Sequence, residues 1–258
     1  MKFKTHIKTA VILCGGKGSR LGSLGKKIPK SMIKINGYPI IWYIINILKK
    51  NSFNHFILPI GYKGKIIRRF LKSNRYFKKL NIEVIDTGTN TNIAKRIYLI
   101  KKRIISKNFL LLNGDSIFDF NIKKIFNNHI NNKTDMTLIG CQNQLPYGTV
   151  GVVKNKIVSF DRNITFNSVK VKNKKNFIAH VYSGMSVMKS DLLQTNFKNY
   201  KNFEKALYPK FINKFKCKFV SLEGFWHSID NIKDIDVLRK NNSITKFKGI
   251  LRIIRKIN

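Results

Sequence analysis

The sequence predicts an α/β fold in which a mostly parallel, doubly wound sheet carries helices on both faces. Two observations point to it. Strand-like and helix-like stretches alternate through the first half of the chain, and two of the strand-like runs end in polar turns that contain glycine, "CGGKGSR" and "NGDS". Repeated strand and helix units give a parallel, Rossmann-like sheet buried on both faces, and ligands of such sheets sit at the carboxyl ends of the strands. The two turns are therefore expected to face one crevice.

The elements follow in order. In "TAVILC" the four apolar residues Val11 to Cys14 read as a buried strand. "PIIWYIINILKK" reads as a helix starting near Pro39, "HFILPI" as a strand and "GKIIRRFLK" as a helix. "IEVIDT" is the next strand, "NIAKRIYLIKKRI" the next helix, and "NFLLLNGD" a strand running into a polar turn. After "DMTLIG" the pattern changes to the shorter strands "TVGVVK", "KIVSFD" and "AHVYSGMSVM", followed by the helix-like "NFEKALYPKFINKF". No linker rich in Pro, Gly or Ser and no internal repeat divides the chain. Residues 1–258 are read as one domain, with a core over about 9–238 and a basic tail over 239–258. The tail stretch "ITKFKGILRIIRKIN" has apolar positions at near-helical spacing, which suits a terminal helix packed on the body or on a sister subunit, or a helix lying on a membrane surface.

Composition bounds the partners. The chain has 258 residues, 43% of them hydrophobic, enough for one sizeable core. Its 51 Lys and Arg against 12 Asp and Glu give a net charge of +39. Clustered cations bind phosphate backbones, but these are scattered and accompany abundant Asn, Ile and Phe, all with A/T-rich codons. Compositional drift is the preferred reading, and no specific nucleic-acid partner is expected; stacking motifs of the "KGFGFV" type are missing. The cysteines Cys14, Cys141 and Cys217 are far apart and odd in number, which argues against a disulfide framework or a zinc site and suits a reducing compartment. The N-terminal apolar run is too short for a signal peptide, and "YPIIWYIINIL", broken by Asn46, falls short of the ~20 residues that span a bilayer. No transmembrane segment and a cytoplasmic location are expected.

The stretch "VILCGGKGSRLGSLGKKIPKSM" places glycines after the first strand, then Arg20, then Lys30 behind a proline. The glycines let the backbone approach a ligand closely, and the two cations favour an anionic one. It is not a Walker loop, because Lys17 is followed by Gly18, and not the dinucleotide pattern, because Leu21 stands where the third glycine belongs. An ordinary glycine-rich turn is the plain alternative. Acidic residues are scarce, so candidates for a metal site are few. Asp115 ends the run "FLLL" through Asn113 and Gly114, and Asp230 follows "GFWHSI", where Trp226 and Ile229 would anchor the backbone. Magnesium takes hard oxygen ligands, usually one or two carboxylates completed by water and phosphates. Two aspartates facing a basic glycine loop would supply them, although either could instead be a turn or cap residue.

These residues carry a resemblance. "LCGGKGSRL" followed by "PKSM", together with "INGYPIIWYII", "GYKGKIIRRF", "DTGTNTNIAKRI", "LNGDS" and "GFWHSIDNIKD", resembles the sugar-1-phosphate nucleotidyltransferases, most closely their glucose-1-phosphate cytidylyltransferase branch, from about Thr9 to Leu238. The resemblance implies a nucleotidyltransferase-type fold and a nucleotide wrapped by Leu13, Cys14, Gly15, Gly16, Lys17, Gly18, Ser19 and Arg20. It further implies that Lys30 reaches the phosphates, that Thr91 and Arg96 contact the nucleotide, and that Gly114 packs close to it. Arg20 and Lys30 would act in catalysis, and Asp115 and Asp230 would hold Mg²⁺. A contribution to sugar-phosphate binding is implied for Gly148 in "YGTVGVV" and for Asp161 and Arg162, where the family often has Glu-Lys-Pro. The partners implied are a nucleoside triphosphate, CTP favoured, and a sugar 1-phosphate, giving a nucleotide sugar and pyrophosphate in a homo-oligomeric enzyme. Ala94 and Lys95 replace two customary glycines, Ser31 a customary proline and Asn231 a customary threonine. "FLLLNGDSIFDFNI" also resembles heptose-phosphate guanylyltransferases, so another base or sugar, such as a heptose or mannose phosphate, is the near alternative. A non-catalytic nucleotide- or RNA-binding relative is the distant one.

Overall fold

A computed structural model of the chain describes residues 7–141, 149–153, 155–161 and 180–240. Strand β1 (Thr9–Leu13) leads through the glycine loop into the short helix α1 (Gly22–Lys27); a small hairpin, β2 (Lys34–Ile35) and β3 (Tyr38–Pro39), then enters helix α2 (Ile40–Lys50). There follow β4 (His55–Ile60), α3 (Gly64–Ser73), β5 (Asn81–Asp86), α4 (Ile93–Ile100), β6 (Asn108–Asn113), β7 (Ser116–Asp119), α5 (Ile122–Asn131) and β8 (Met136–Cys141). The later elements are β9 (Thr149–Val153), β10 (Lys156–Asp161), β11 (Val181–Lys189), α6 (Phe203–Lys214), β12 (Cys217–Ser221), β13 (Phe225–Ser228) and α7 (Ile232–Lys240).

Among the described residues, seven strands form the main sheet in the order β12-β8-β11-β6-β1-β4-β5. β1 pairs in parallel with both β4 and β6, β4 with β5, and β8 with β12; β11 alone runs against its neighbours. The mostly parallel sheet expected from the alternation is therefore present. Apolar runs dictate it: successive side chains on a strand point to opposite faces, and both faces are covered. Ala10 and Ile12 of β1 join Leu110 and Leu112 of β6 under α2, α3 and α5, whereas Val11, Phe109 and Leu111 pack under α4 and α6. Helix α2 is buried from Ile40 to Leu48, and its one polar interior residue, Asn46, donates to the Trp42 carbonyl at 2.8 Å.

Helix α1, the β2–β3 hairpin, α5 and β12 were also left out of the sequence-based expectations, and two further features went unread. The polar turn at Asn113 is followed at once by β7, which pairs antiparallel with β13, more than a hundred residues away. And β11 is reversed, with a register shift between Tyr182 and Met185 around Gly184, whose φ is +76°. No helix among the described residues is long and apolar enough to cross a membrane.

Candidate active site

The glycine loop leaves β1 at its carboxyl end and folds over the sheet. Gly18 adopts the left-handed conformation at φ 60°, and a Cβ on Gly25 would lie 2.3 Å from the Gly18 carbonyl, so α1 closes directly on the loop. Leu21, fully buried, pins the segment. Beneath it lies Arg96 of α4, only 4% exposed. Its Nη2 donates to the Gly15 carbonyl at 2.9 Å, and its Nη1 donates to the Ile60 carbonyl at 3.0 Å and to Thr87 Oγ1 at 2.5 Å. Gly15 and Gly61 sandwich the guanidinium; a Cβ on either would fall 2.2–2.4 Å from it. Burial lowers the Arg96 pKa, with Asp86 opposing. The residue that the resemblance assigns to the nucleotide thus also ties the loop to the ends of β4 and β5. Thr91 lies close by, its hydroxyl donating to the Thr87 carbonyl at 2.5 Å.

At the end of β6, the Gly114 amide donates to the Leu13 carbonyl at 3.0 Å, and a Cβ there would lie 2.8 Å from both Leu13 O and Cys14 Sγ. Glycine lets the two strand ends touch, and Asp115 follows at the mouth. The β7 and β13 pair then matters: it aligns Ser116 with Ser228, and the Ile229 amide donates to the Asp115 carbonyl at 3.0 Å, which brings Asp230 beside Asp115. Ile229 is fully buried and Trp226 packs against the core, as the sequence suggested. Asn231 and Asp234 form a reciprocal capping box at the start of α7. The Asn231 side chain accepts from the Asp234 amide at 3.2 Å, and Asp234 Oδ2 accepts from the amides of Asn231 at 2.8 Å and Asp230 at 2.7 Å.

Lys30, in a 3-10 turn preset by Pro29, points its ammonium between the carboxylates, 2.8 Å from Asp115 Oδ2 and 3.0 Å from Asp230 Oδ1. Arg20, mostly exposed, reaches Asp230 Oδ1 at 3.5 Å, and Ser228 Oγ donates to Asp230 Oδ2 at 3.2 Å. Burial alone would raise the Asp230 pKa; the hydrogen bond and charge of Lys30, aided by Ser228 and Arg20, outweigh it and hold the group below the usual carboxylate range. Burial pushes the Cys14 thiol up to about 12, so it is an inert filler of the loop.

These groups enclose a cleft of about 590 Å³ lined by residues 13–20, Lys30, Ser31, residues 89–93, Arg96, Asn113, Gly114, Asp115 and Asp230. Every residue expected to contact nucleotide or metal therefore meets at one place. The sugar-phosphate candidates do not add to this: Gly148 and Arg162 lie outside the described residues, and Asp161 closes β10 in a separate two-stranded sheet with β9, its side chain also outside them. Thr87, Ser228 and Asp234 were missed. Asp234 carried a signal, the cap spacing of "DNIKD".

Residues 9–167 match the family model for nucleotidyl transferase. The chain belongs to the nucleotidyl transferase family. It is 28% identical to a probable glucose-1-phosphate cytidylyltransferase of Bacillus subtilis over 88% of this chain and 92% of that one. It is 30% identical to the D-glycero-alpha-D-manno-heptose 1-phosphate guanylyltransferase of Aneurinibacillus thermoaerophilus over 73% of this chain and 84% of the relative. A putative glucose-1-phosphate thymidylyltransferase from Bacillus anthracis has the same fold, with a TM-score of 0.69 at 17% identity over 90% of this chain and 94% of that one. The family and fold implied by the sequence motifs are borne out, and the relatives differ in base.

The donor set of this family member fits magnesium. Two hard carboxylate oxygens face one common ammonium at 2.8 and 3.0 Å, and water and phosphates can complete a shell around a cation that they hold. Among the described residues no group of three or more His, Cys, Asp or Glu side chains gathers that could hold a metal ion by itself.

Proposed function

We propose that the chain transfers a nucleotidyl group from a nucleoside triphosphate, CTP favoured, to a sugar 1-phosphate, glucose 1-phosphate in the first instance. One observation carries this reading: a single ammonium touches both Asp115 and Asp230 at the mouth of the glycine loop, so one cation can bridge them. The CTP and glucose assignment rests on similarity to the Bacillus subtilis relative across most of both chains. A second reading, GTP with a heptose phosphate, rests on the 30% identity to the Aneurinibacillus relative.

The reaction asks little covalent work of the protein. An ionised phosphate oxygen of the sugar phosphate attacks the α-phosphorus in line; the new P–O bond forms as the bond to pyrophosphate breaks, and pyrophosphate leaves with that electron pair. No Ser or Cys nucleophile is required, consistent with the inert Cys14. Catalysis is then positioning plus charge neutralisation. The loop backbone from Gly15 to Ser19 holds the phosphates, with Gly15 fixed from below by Arg96. Arg20, exposed at the rim, and Lys30, between the aspartates, supply cationic partners for the charge on the transferring group and on pyrophosphate. Held by Asp115 and Asp230, Mg²⁺ would supply further neutralisation of the triphosphate.

The test is pyrophosphate release with Mg²⁺ over a grid of four triphosphates and several sugar 1-phosphates, beside Asp115→Ala. Activity in one combination, abolished in the variant, is expected. Silence across the grid with folded protein would refute transferase activity.

A further inference from the structure

Lys30 stands where a metal ion would have to stand. Its ammonium lies 2.8 Å from Asp115 and 3.0 Å from Asp230, and only 16% of its side chain is exposed. A divalent cation held by both oxygens would occupy the space between them, into which this ammonium projects. Two cations cannot share it, so Lys30 must move before a metal can enter. Arg20 cannot take over this role: it reaches only Asp230, at 3.5 Å, with 79% of its side chain in solvent. The alternative partner for the Lys30 ammonium is an anion in the cleft that this residue already lines.

We propose that Lys30 is a resident counter-cation that couples the two substrate-side events: it neutralises the aspartates until a polyphosphate draws its ammonium away, and only then do they bind a divalent cation tightly. The inference rests on the proposed metal role of Asp115 and Asp230 and adds an order of events to it. Coupling is reciprocal, so a metal on the aspartates releases Lys30 to polyphosphate to the same degree that polyphosphate releases the aspartates to the metal.

The probe is Mn²⁺ alone, titrated into nucleotide-free protein and followed by electron paramagnetic resonance. Lys30→Met, which keeps chain length and removes the charge, should bind Mn²⁺ about tenfold tighter than the wild type. Arg20→Met should change the affinity by less than about threefold, as expected for an exposed pair. Asp115→Asn should abolish the site. Lys30→Gln is the second variant should Lys30→Met fail to fold. Equal or weaker Mn²⁺ binding by the Lys30 variants, or none measurable, overturns the coupling. Binding indifferent to Asp115→Asn would instead overturn the metal assignment beneath it. A second readout uses inorganic pyrophosphate with the metal chelated: Asp115→Asn should tighten pyrophosphate binding more in the wild-type background than in Lys30→Met, and equal effects in the two backgrounds would also sink the proposal.

Discussion

Replacing Arg96 with methionine tests whether the glycine loop is held from below. The guanidinium makes three hydrogen bonds, to Gly15 O, Ile60 O and Thr87 Oγ1. Bonds from a charged donor contribute about 1.5–3 kcal/mol each, so the gross loss is about 5–9 kcal/mol. Two effects reduce it. Methionine leaves no charge buried between Gly15 and Gly61, which recovers much of the desolvation cost. The acceptors also keep partners: Ile60 O still receives the Thr87 amide and hydroxyl at 2.9 and 2.7 Å, and Gly15 O receives the Tyr62 amide at 3.4 Å. The net cost should be about 2–4 kcal/mol, read from urea denaturation. The loosened loop should raise KM for the triphosphate about tenfold or more, since small displacements of positioning groups are costly. Gly15→Ala checks the cause, because its Cβ would fall 2.2 Å from Arg96 Cζ. The alanine should be damaging in the wild type and much less so in Arg96→Met. A stability loss under about 1 kcal/mol with unchanged KM, or strictly additive costs in the double variant, would refute the argument.

Gly114→Ala should destabilise by about 1–3 kcal/mol and lower kcat, because the new Cβ meets the Leu13 carbonyl and Cys14 Sγ at 2.8 Å and the strand ends must part; denaturation and steady-state kinetics read the two effects. Asp234→Ala should cost about 0.5–2 kcal/mol through the lost cap and should also weaken Mn²⁺ binding, because Asp234 holds the Asp230 amide; intact metal affinity would count against that positioning role. His129 should make stability pH-dependent. It is 2% exposed, bonded to Thr137 and Asn108, and burial, with Lys189 adding and Asp135 opposing, lowers its pKa from 6.5 to about 4. The unfolded chain therefore takes up this proton first, so the contribution is complete above about pH 6.5, falls as the pH drops toward about 4 and then levels off, in all about 3 kcal/mol. His129→Gln should remove that part of the slope in a pH series of denaturation midpoints.

What was legible followed from local chemistry. β1, β4 and β6 are apolar runs buried on both faces, and such runs announce themselves without neighbours. α2 was legible from its length and Pro39. Asp115 and Asp230 stood out because so few acids compete with them. What was hidden depends on distant pairing. An apolar run does not encode strand direction, so the reversal of β11 could not be read from "AHVYSGMSVM". The β7–β13 ladder, which sets Asp230 beside Asp115, joins two four-residue segments whose register is fixed only in the folded chain. Arg96 was reached only through the resemblance carried by "DTGTNTNIAKRI". Its burial under Gly15 was hidden, because that depends on the cross-over of α4 beneath a loop some eighty residues earlier.

Charge joins the site to the whole chain. No carboxylate precedes Glu83, so the segment bearing the glycine loop, Arg20 and Lys30 is uniformly cationic within a molecule of net charge +39. Such a field attracts polyphosphate and opposes a bare divalent cation. The carboxylates that could reverse it locally, Asp115 and Asp230, are already met by Lys30 and Arg20. A free metal ion approaching the cleft thus encounters an adverse field and a neutralised pair of ligands. A metal–triphosphate complex carries net negative charge, is drawn in by the same field and brings the anion that competes for Lys30. A net charge that reads as compositional drift along the sequence therefore acts, at this cleft, in the same direction as the ion pair itself: both favour entry of the metal with the nucleotide over entry ahead of it.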